Sequence, residues 1–142
     1  MEPRISIITL GVADLERSYR FYHEGLGFPT TSQPEYVVFF QTMGTCLALY
    51  PYDLLADDVA PGFPQDKSRF PGITLAYNTR TREEMDEVLA LAERAGAKIE
   101  KPISPTPWGA FSAYFSDPDG YLWEVYWSEN WKFNEDGSLI IE

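Results

Sequence analysis

A chain of 142 residues, 44% hydrophobic and 15% aromatic, carries enough apolar side chain for one domain core or for two small repeats sharing a core. Its formal net charge of -11 argues against nucleic acid and against anionic membranes as partners, since both want patches of Lys and Arg. The single cysteine, Cys46, rules out an intramolecular disulfide; no apolar run is long enough to span a bilayer, and no leader pattern precedes the first strand, so the expected compartment is cytoplasmic.

Residues 4–12 are β-branched and apolar enough for a strand. Asp14 is a good helix N-cap, and Leu15, Tyr19, Tyr22 and Leu26 fall at helical spacing until Gly25 and Gly27 end the helix. Tyr36–Gln41 and Thr45–Tyr50 read as two strands joined at Met43–Gly44. Residues 51–72 are rich in proline and acids and read as a linker or lid, with one helical turn around 54–58.

The pattern then restarts. Residues 73–77 make a strand; Thr81 and Glu84 form a capping box, and Met85, Val88, Leu89, Ala92 and Ala95 make the apolar stripe of a helix ended by Gly96. Residues 97–100 read as a short strand, and Pro102, Pro105 and Pro107 as an extended loop leading to Trp108. Strands 110–116 and 121–127 flank an Asp117-Pro118-Asp119-Gly120 turn, in which Gly120 is expected to have positive φ. Beyond the turn, Tyr121, Trp123, Val125 and Trp127 point one way and Leu122, Glu124 and Tyr126 the other. The tail, 128–142, holds Trp131, Phe133 and an Asp136-Gly137 turn, and its apolar end is expected to pack on the body or on a second copy. Strand-helix-strand-strand-strand thus occurs twice, and the echo of Ile8-Thr9-Leu10 in Ile73-Thr74-Leu75 fits a duplicated unit.

Two stretches resemble the vicinal oxygen chelate superfamily, which contains glyoxalases, bleomycin-resistance proteins and extradiol dioxygenases. One is Leu10-Gly-Val-Ala-Asp14-Leu15-Glu-Arg-Ser18-Tyr-Arg-Phe21-Tyr22 followed by Leu26-Gly27; the other is the Asp-Pro-Asp-Gly turn with Glu124 on the strand after it. The resemblance implies an α+β fold of two βαβββ modules forming a half-open barrel around a concave groove, often as a homodimer. It divides the chain into module one at about 4–52, a linker at 53–71, module two at about 72–127 and the tail.

The resemblance also implies metal ligands on the first and last strands of each module, and here the sequence departs from it. Residues 5–13 and 71–79 hold no His, Cys, Asp or Glu; Ala48 stands where the first module's Glu is expected, and the sole histidine, His23, lies near the end of the first helix. Only Glu124 remains, and one carboxylate is a poor transition-metal site, so neither metal nor other cofactor is expected. Glu124 then becomes the candidate catalytic or ligand-anchoring group; the structural alternatives are an internal pairing with a Tyr or Arg, or plain exposure to water. Tyr126, Leu122, Trp108, Tyr50 and Phe39 are the candidate walls of a groove for a small, flat, partly apolar molecule. Three functions fit: a metal-free binding protein like the bleomycin-resistance branch, a lyase, isomerase or dioxygenase-type enzyme, or an interaction module with a vestigial groove.

Overall fold

A computed structural model describes residues 1, 5–66 and 71–140. The chain divides into two units, Met1–Pro71 and Gly72–Glu142, each built on its own sheet. Arg4, residues 67–70 of the expected linker and Ile141 of the expected apolar end lie outside the described residues. No helix among the described residues is long and apolar enough to cross a membrane.

The first unit runs β1 (Ile7–Val12), α1 (Leu15–Tyr19) continuing into a π-helical turn over Arg20–Gly25, β2 (Val38–Gln41), β3 (Cys46–Pro51) and α2 (Tyr52–Val59). Its sheet has the order β1-β3-β2, with β1 parallel and β2 antiparallel to the central β3. Asp14 caps α1 as expected, its Oδ1 accepting the Arg17 N–H at 2.9 Å. Phe21 and Tyr22 turn inward together, with Ser18, while Leu15, Tyr19 and Leu26 of the expected stripe stay half-buried. Tyr22 packs its ring 5.8 Å from those of both Phe28 and Phe40, a core completed by Leu10, Val12, Val38, Leu47 and Leu49. His23 donates from Nδ1 to the Phe28 carbonyl at 2.9 Å, which fastens the end of this helix.

In this unit the outermost strand of the module is replaced by a segment beside β2. Gln41 N–H donates to the Pro29 carbonyl at 3.1 Å, the Thr30 hydroxyl donates to the Phe39 carbonyl at 2.6 Å, and Phe39 N–H donates to Ser32 Oγ at 3.3 Å. Hydroxyls thus satisfy the edge of β2 where a strand's backbone would. The region expected to be a linker begins as a full helix, α2, packed on β1 and β3. Gly11 makes that approach possible, since a Cβ there would stand 2.7 Å from Tyr52 Cδ2.

The second unit runs β4 (Leu75–Asn78), α3 (Arg82–Ala95), β5 (Lys98–Pro105), β6 (Phe111–Ser116) and β7 (Leu122–Trp127), then a small hairpin of β8 (Lys132–Phe133) and β9 (Leu139–Ile140). The main sheet has the order β4-β7-β6-β5, a complete βαβββ module of an α+β fold. Thr81 Oγ1 caps α3 by accepting the Glu84 N–H at 3.2 Å; Glu84 reaches back to the Arg80 N–H at 2.7 Å and also accepts the Tyr77 hydroxyl at 2.8 Å. α3 buries Met85 and Ala92 and packs over β6 and β7, whose buried residues include Ala113, Phe115, Trp123 and Val125. The Phe115 and Trp123 rings stack with centroids 6.1 Å apart.

Two expectations are corrected here. The short strand at 97–100 continues to Pro105, through Pro102, because β5 is an edge strand with two register shifts, where a missing N–H breaks no ladder bond. The tripeptide echo does not mark equivalent positions: Leu10 stands opposite Leu49, whereas Leu75 stands opposite Trp123, the counterpart of Leu47 when β3 and β7 are aligned from their first residues. The turn between β6 and β7 has the expected form, with Gly120 at φ 91° donating to the Asp117 carbonyl at 3.0 Å. In the tail, Trp131 meets the Tyr126 ring edge-on at 6.4 Å and Phe133 lies 5.0 Å under the Arg80 guanidinium, so these aromatics are engaged within their own unit.

Candidate functional site

The sheet of the second unit has one face under α3 and one face open. Along β7, Trp123 and Val125 are buried on the helix side, while Leu122, Glu124 and Tyr126 stand half-buried on the other, as period-2 alternation requires. Pairing extends that face into a row: Ala76 of β4 stands opposite Glu124, Glu124 opposite Tyr114 of β6, and Tyr114 opposite Lys101 of β5. Phenol and carboxylate are joined, the Tyr114 hydroxyl donating to Glu124 Oε1 at 2.8 Å. Lys101 Nζ donates to Ser112 Oγ at 2.8 Å and lies 5.8 Å from the Tyr114 ring centroid.

Glu124 is therefore not the lone acid between apolar neighbours that β7 alone implies; its Oε1 is held by Tyr114, and Oε2 has no protein partner among the described residues. Burial, then the hydrogen bond to Glu124 and its charge, push the Tyr114 hydroxyl up to about 12. Tyr114 stays protonated and donates. One row further along, the Ser116 hydroxyl donates to Glu100 Oε1 at 2.8 Å, and the bond from Lys98 holds the Glu100 carboxyl below its ordinary value.

In the row on the other side of Glu124, where Tyr126 stands between Asn78 and Ser112, Tyr126 meets a cavity of about 320 Å³ walled by Trp108, Tyr126, Ser128, Asn130 and Trp131, with Lys132 as its charged lining residue. Trp108 Nε1–H donates to the Tyr126 hydroxyl at 2.8 Å and fixes that wall, although the indole itself is 69% exposed. The Trp131 Nε1–H is buried and meets no acceptor among the described residues.

Of the expected groove residues, Glu124, Tyr126, Leu122 and Trp108 share this unit; Leu122 stands opposite Ser116, one step beyond Glu124 on the same face. Tyr50 and Phe39 belong to the first unit. The Tyr50 hydroxyl donates to Asp58, and burial followed by the Asp58 charge raises its pKa, so Tyr50 ties α2 to β3. Phe39 stands opposite Ala48 and is 43% exposed. Tyr114, Lys101 and Trp131 were not among the expected site residues. Tyr114 was within reach once the positive φ expected at Gly120 is read as a one-residue bulge: Asp117 then pairs with Tyr121, and residue 114 faces residue 124. Lys101 was not, because the shifts in β5 cannot be read from spacing.

The divalent ion that the resemblance implies does not fit the residues present. Glu124 has Ala76 and Tyr114 as row neighbours, and Ala48 has Thr9 and Phe39. Among the described residues no three His, Cys, Asp or Glu side chains converge as a metal site needs.

The family model for the Glyoxalase/Bleomycin resistance protein/Dioxygenase superfamily matches residues 4–125. Among solved structures, a glyoxalase-related enzyme from Fulvimarina pelagi is 32% identical, superposes with a TM-score of 0.87 and is covered over 98% of both chains. A glyoxalase/bleomycin resistance protein/dioxygenase from Nocardioides is 25% identical with a TM-score of 0.76, covering 95% of this chain and 90% of that one. A lactoylglutathione lyase from Agrobacterium tumefaciens shares the fold at 24% identity and a TM-score of 0.69, covering 94% of this chain and all of that one. With both of its sequence signatures, its βαβββ module and its family model in agreement, this chain belongs to the Glyoxalase/Bleomycin resistance protein/Dioxygenase superfamily.

Proposed function

We propose that this chain binds a small, partly aromatic organic molecule on the open face of the second unit's sheet, without a metal. The supporting observation is Tyr126: its ring walls the cavity with Trp108 and Trp131, and it is the next inward residue after Glu124 on β7. Small-molecule sites are typically about 300 to 1,000 Å³, mostly apolar, with a few convergent polar groups. Here the rings of Trp108, Tyr126 and Trp131 wall the cavity together with Ser128, Asn130 and Lys132, and the Glu124 carboxylate, steadied by Tyr114, stands two residues before Tyr126 on the same face of β7, outside the cavity lining. Free Oε2 accepts a ligand hydroxyl or amine, and the rings stack on its flat part.

Native mass spectrometry of protein taken gently from cells tests this. A retained small molecule in the wild type, lost in Tyr126→Ala, is the expected result. Protein of bare chain mass in which no aromatic compound quenches tryptophan fluorescence sinks the reading. Elemental analysis finding about one transition-metal ion per chain would sink its metal-free part.

A second reading is catalytic. A carboxylate whose Oε1 is held by a protonated phenol keeps Oε2 as a base, and the Lys101 ammonium on the same face has donors left for a carbonyl oxygen, the pair that proton abstraction next to a carbonyl requires. The family relationship to a glyoxalase-related enzyme favours testing it. Solvent-deuterium exchange into a bound carbonyl compound, abolished by Glu124→Gln, distinguishes turnover from sequestration.

A further inference from the structure

We propose that the ligand is a monoanion, an aromatic carboxylic acid, whose carboxylate is taken by Lys101 beside Ser112 and Tyr114; this rests on the binding reading above. The argument begins with the backbone of β5. In a regular strand, residues three apart point to opposite faces. Yet Lys98 stands opposite Ser116 and Lys101 opposite Tyr114, so both lysines reach the open face. The shift between Ile99 and Lys101 does this. Continued without it, the register from Lys98 would set Glu100 opposite Tyr114 and turn Lys101 to the helix side, opposite Ala113. The irregularity thus exchanges a carboxylate for an ammonium beside the Tyr114–Glu124 pair. A second shift sets Ser104 opposite Ser112 on the same face. Bulges on edge strands re-aim side chains in this way, often at sites.

The ammonium so delivered is half-buried and has no carboxylate within 4.0 Å among the described residues, in a chain of 22 acids and 11 bases. Lys98, by contrast, is neutralised by Glu100 at 2.8 Å. An ammonium has three donors, and Ser112 Oγ takes one at 2.8 Å. Ser112 stands opposite Tyr126, so Lys101 is bonded to the cross-strand neighbour of a residue that walls the cavity, whose own lining also holds Lys132. On this row Lys101 is the one cation and suits one negative charge; a dianion on the same row would be repelled by Glu124. Glu124 in turn suits a ligand hydroxyl or amine. The chemical class is an aromatic hydroxy or amino acid, held by its carboxylate at Lys101 and by its donor at Glu124.

The test uses 3-phenyllactate, indole-3-lactate and indole-3-acetate against their primary amides, titrated by tryptophan fluorescence and calorimetry. Wild-type protein should bind the acids roughly tenfold more tightly than the amides, the size of one charged hydrogen bond. Lys101→Met, checked for an unchanged melt, should erase the difference, and Lys101→Gln should do the same. Tyr126→Ala should weaken acids and amides together. Equal affinity of acid and amide in the wild type, or a preference that survives both Lys101 variants, overturns the anion assignment and leaves the binding reading intact. Binding of neither acids nor amides overturns both.

Discussion

β3 and β7 are the central strands of their sheets, each between a parallel and an antiparallel neighbour, yet Ala48 stands on β3 where Glu124 stands on β7. The row through Ala48 is Thr9, Ala48 and Phe39; the row through Glu124 is Ala76, Glu124, Tyr114 and then Lys101. The fourth member of the second row needs a fourth strand. The first unit has none in that place, only the segment at 29–32 bonded to β2 largely through hydroxyls. It spends its chain instead on α2, seated against Gly11. Equal strand order therefore does not mean equal chemistry. The pairing builds two frames, and one of them carries a phenol, a carboxylate and an ammonium in line.

The largest expected effect comes from forcing the rows to match. Ala48 is 1% exposed, so Ala48→Glu places a carboxylate where no Tyr or Lys receives it. It should destabilise the fold by about 3 kcal/mol or more, read in denaturant melts. A variant as stable as the wild type would mean that the first row is as well solvated as the second. Next come two glycines that serve the units differently. Gly11→Val drives a side chain into Tyr52 and should cost about 1–3 kcal/mol through overpacking of α2. Gly120→Val has open space around it but φ at 91°, so strain alone should cost about 1–2 kcal/mol. If the second loss exceeds the first, the β6–β7 turn rather than the seat of α2 is the more demanding backbone position.

The frame was legible because its signals are local. Asp14, Thr81, Gly96 and the Asp117–Gly120 turn cap or turn the chain through their own nearest backbone groups, and strand alternation assigns Glu124 to the open face. What sequence could not give was anything set by pairing between strands. Lys101 reaches the row only through the shifts of β5, and the prolines that suggested a loop sit in that same edge strand. The length of α2 was hidden for a related reason: its partner, Gly11, is forty residues away, and a glycine says nothing about what approaches it. Phe21 went inward because the buried face is Ser18, Phe21 and Tyr22, an i, i+3, i+4 set that includes Tyr22 but is turned away from the stripe of Leu15, Tyr19 and Leu26.

Alkaline pH sharpens the comparison without any substitution. Tyr114 and Tyr77, both in the second unit, are pushed up to about 12, each by burial first and then by a hydrogen bond to a carboxylate. A phenol whose folded value lies above its unfolded value near 10 binds more protons when folded in that window. The stability it contributes is complete below pH 10 and is lost as pH rises toward 12. The melting temperature should fall across that window, and less steeply in Tyr114→Phe. An identical slope in wild type and variant would show that the Tyr114–Glu124 bond does not couple to folding.

The smallest expected change in stability, and the most informative about function, is that of Glu124→Gln. The amide oxygen can still accept the Tyr114 hydroxyl, so shape and one hydrogen bond are kept while the charge is removed. Stability should move by less than about 1 kcal/mol. Ultraviolet titration should show the Tyr114 phenol ionising at lower pH, since both the carboxylate's charge and its stronger hydrogen bond raise the value in the wild type. Affinity for an aromatic hydroxy acid should fall by about 2 kcal/mol if Oε2 accepts its hydroxyl as a charged bond, whereas affinity for indole-3-acetate, which has no hydroxyl, should hardly change. A scaffold role makes the opposite forecast. Were Glu124 there only to anchor Tyr114, the melt would drop and both acids would bind as before. Loss of affinity for the hydroxy acid alone, at constant stability, separates a carboxylate that serves the ligand from one that serves the sheet.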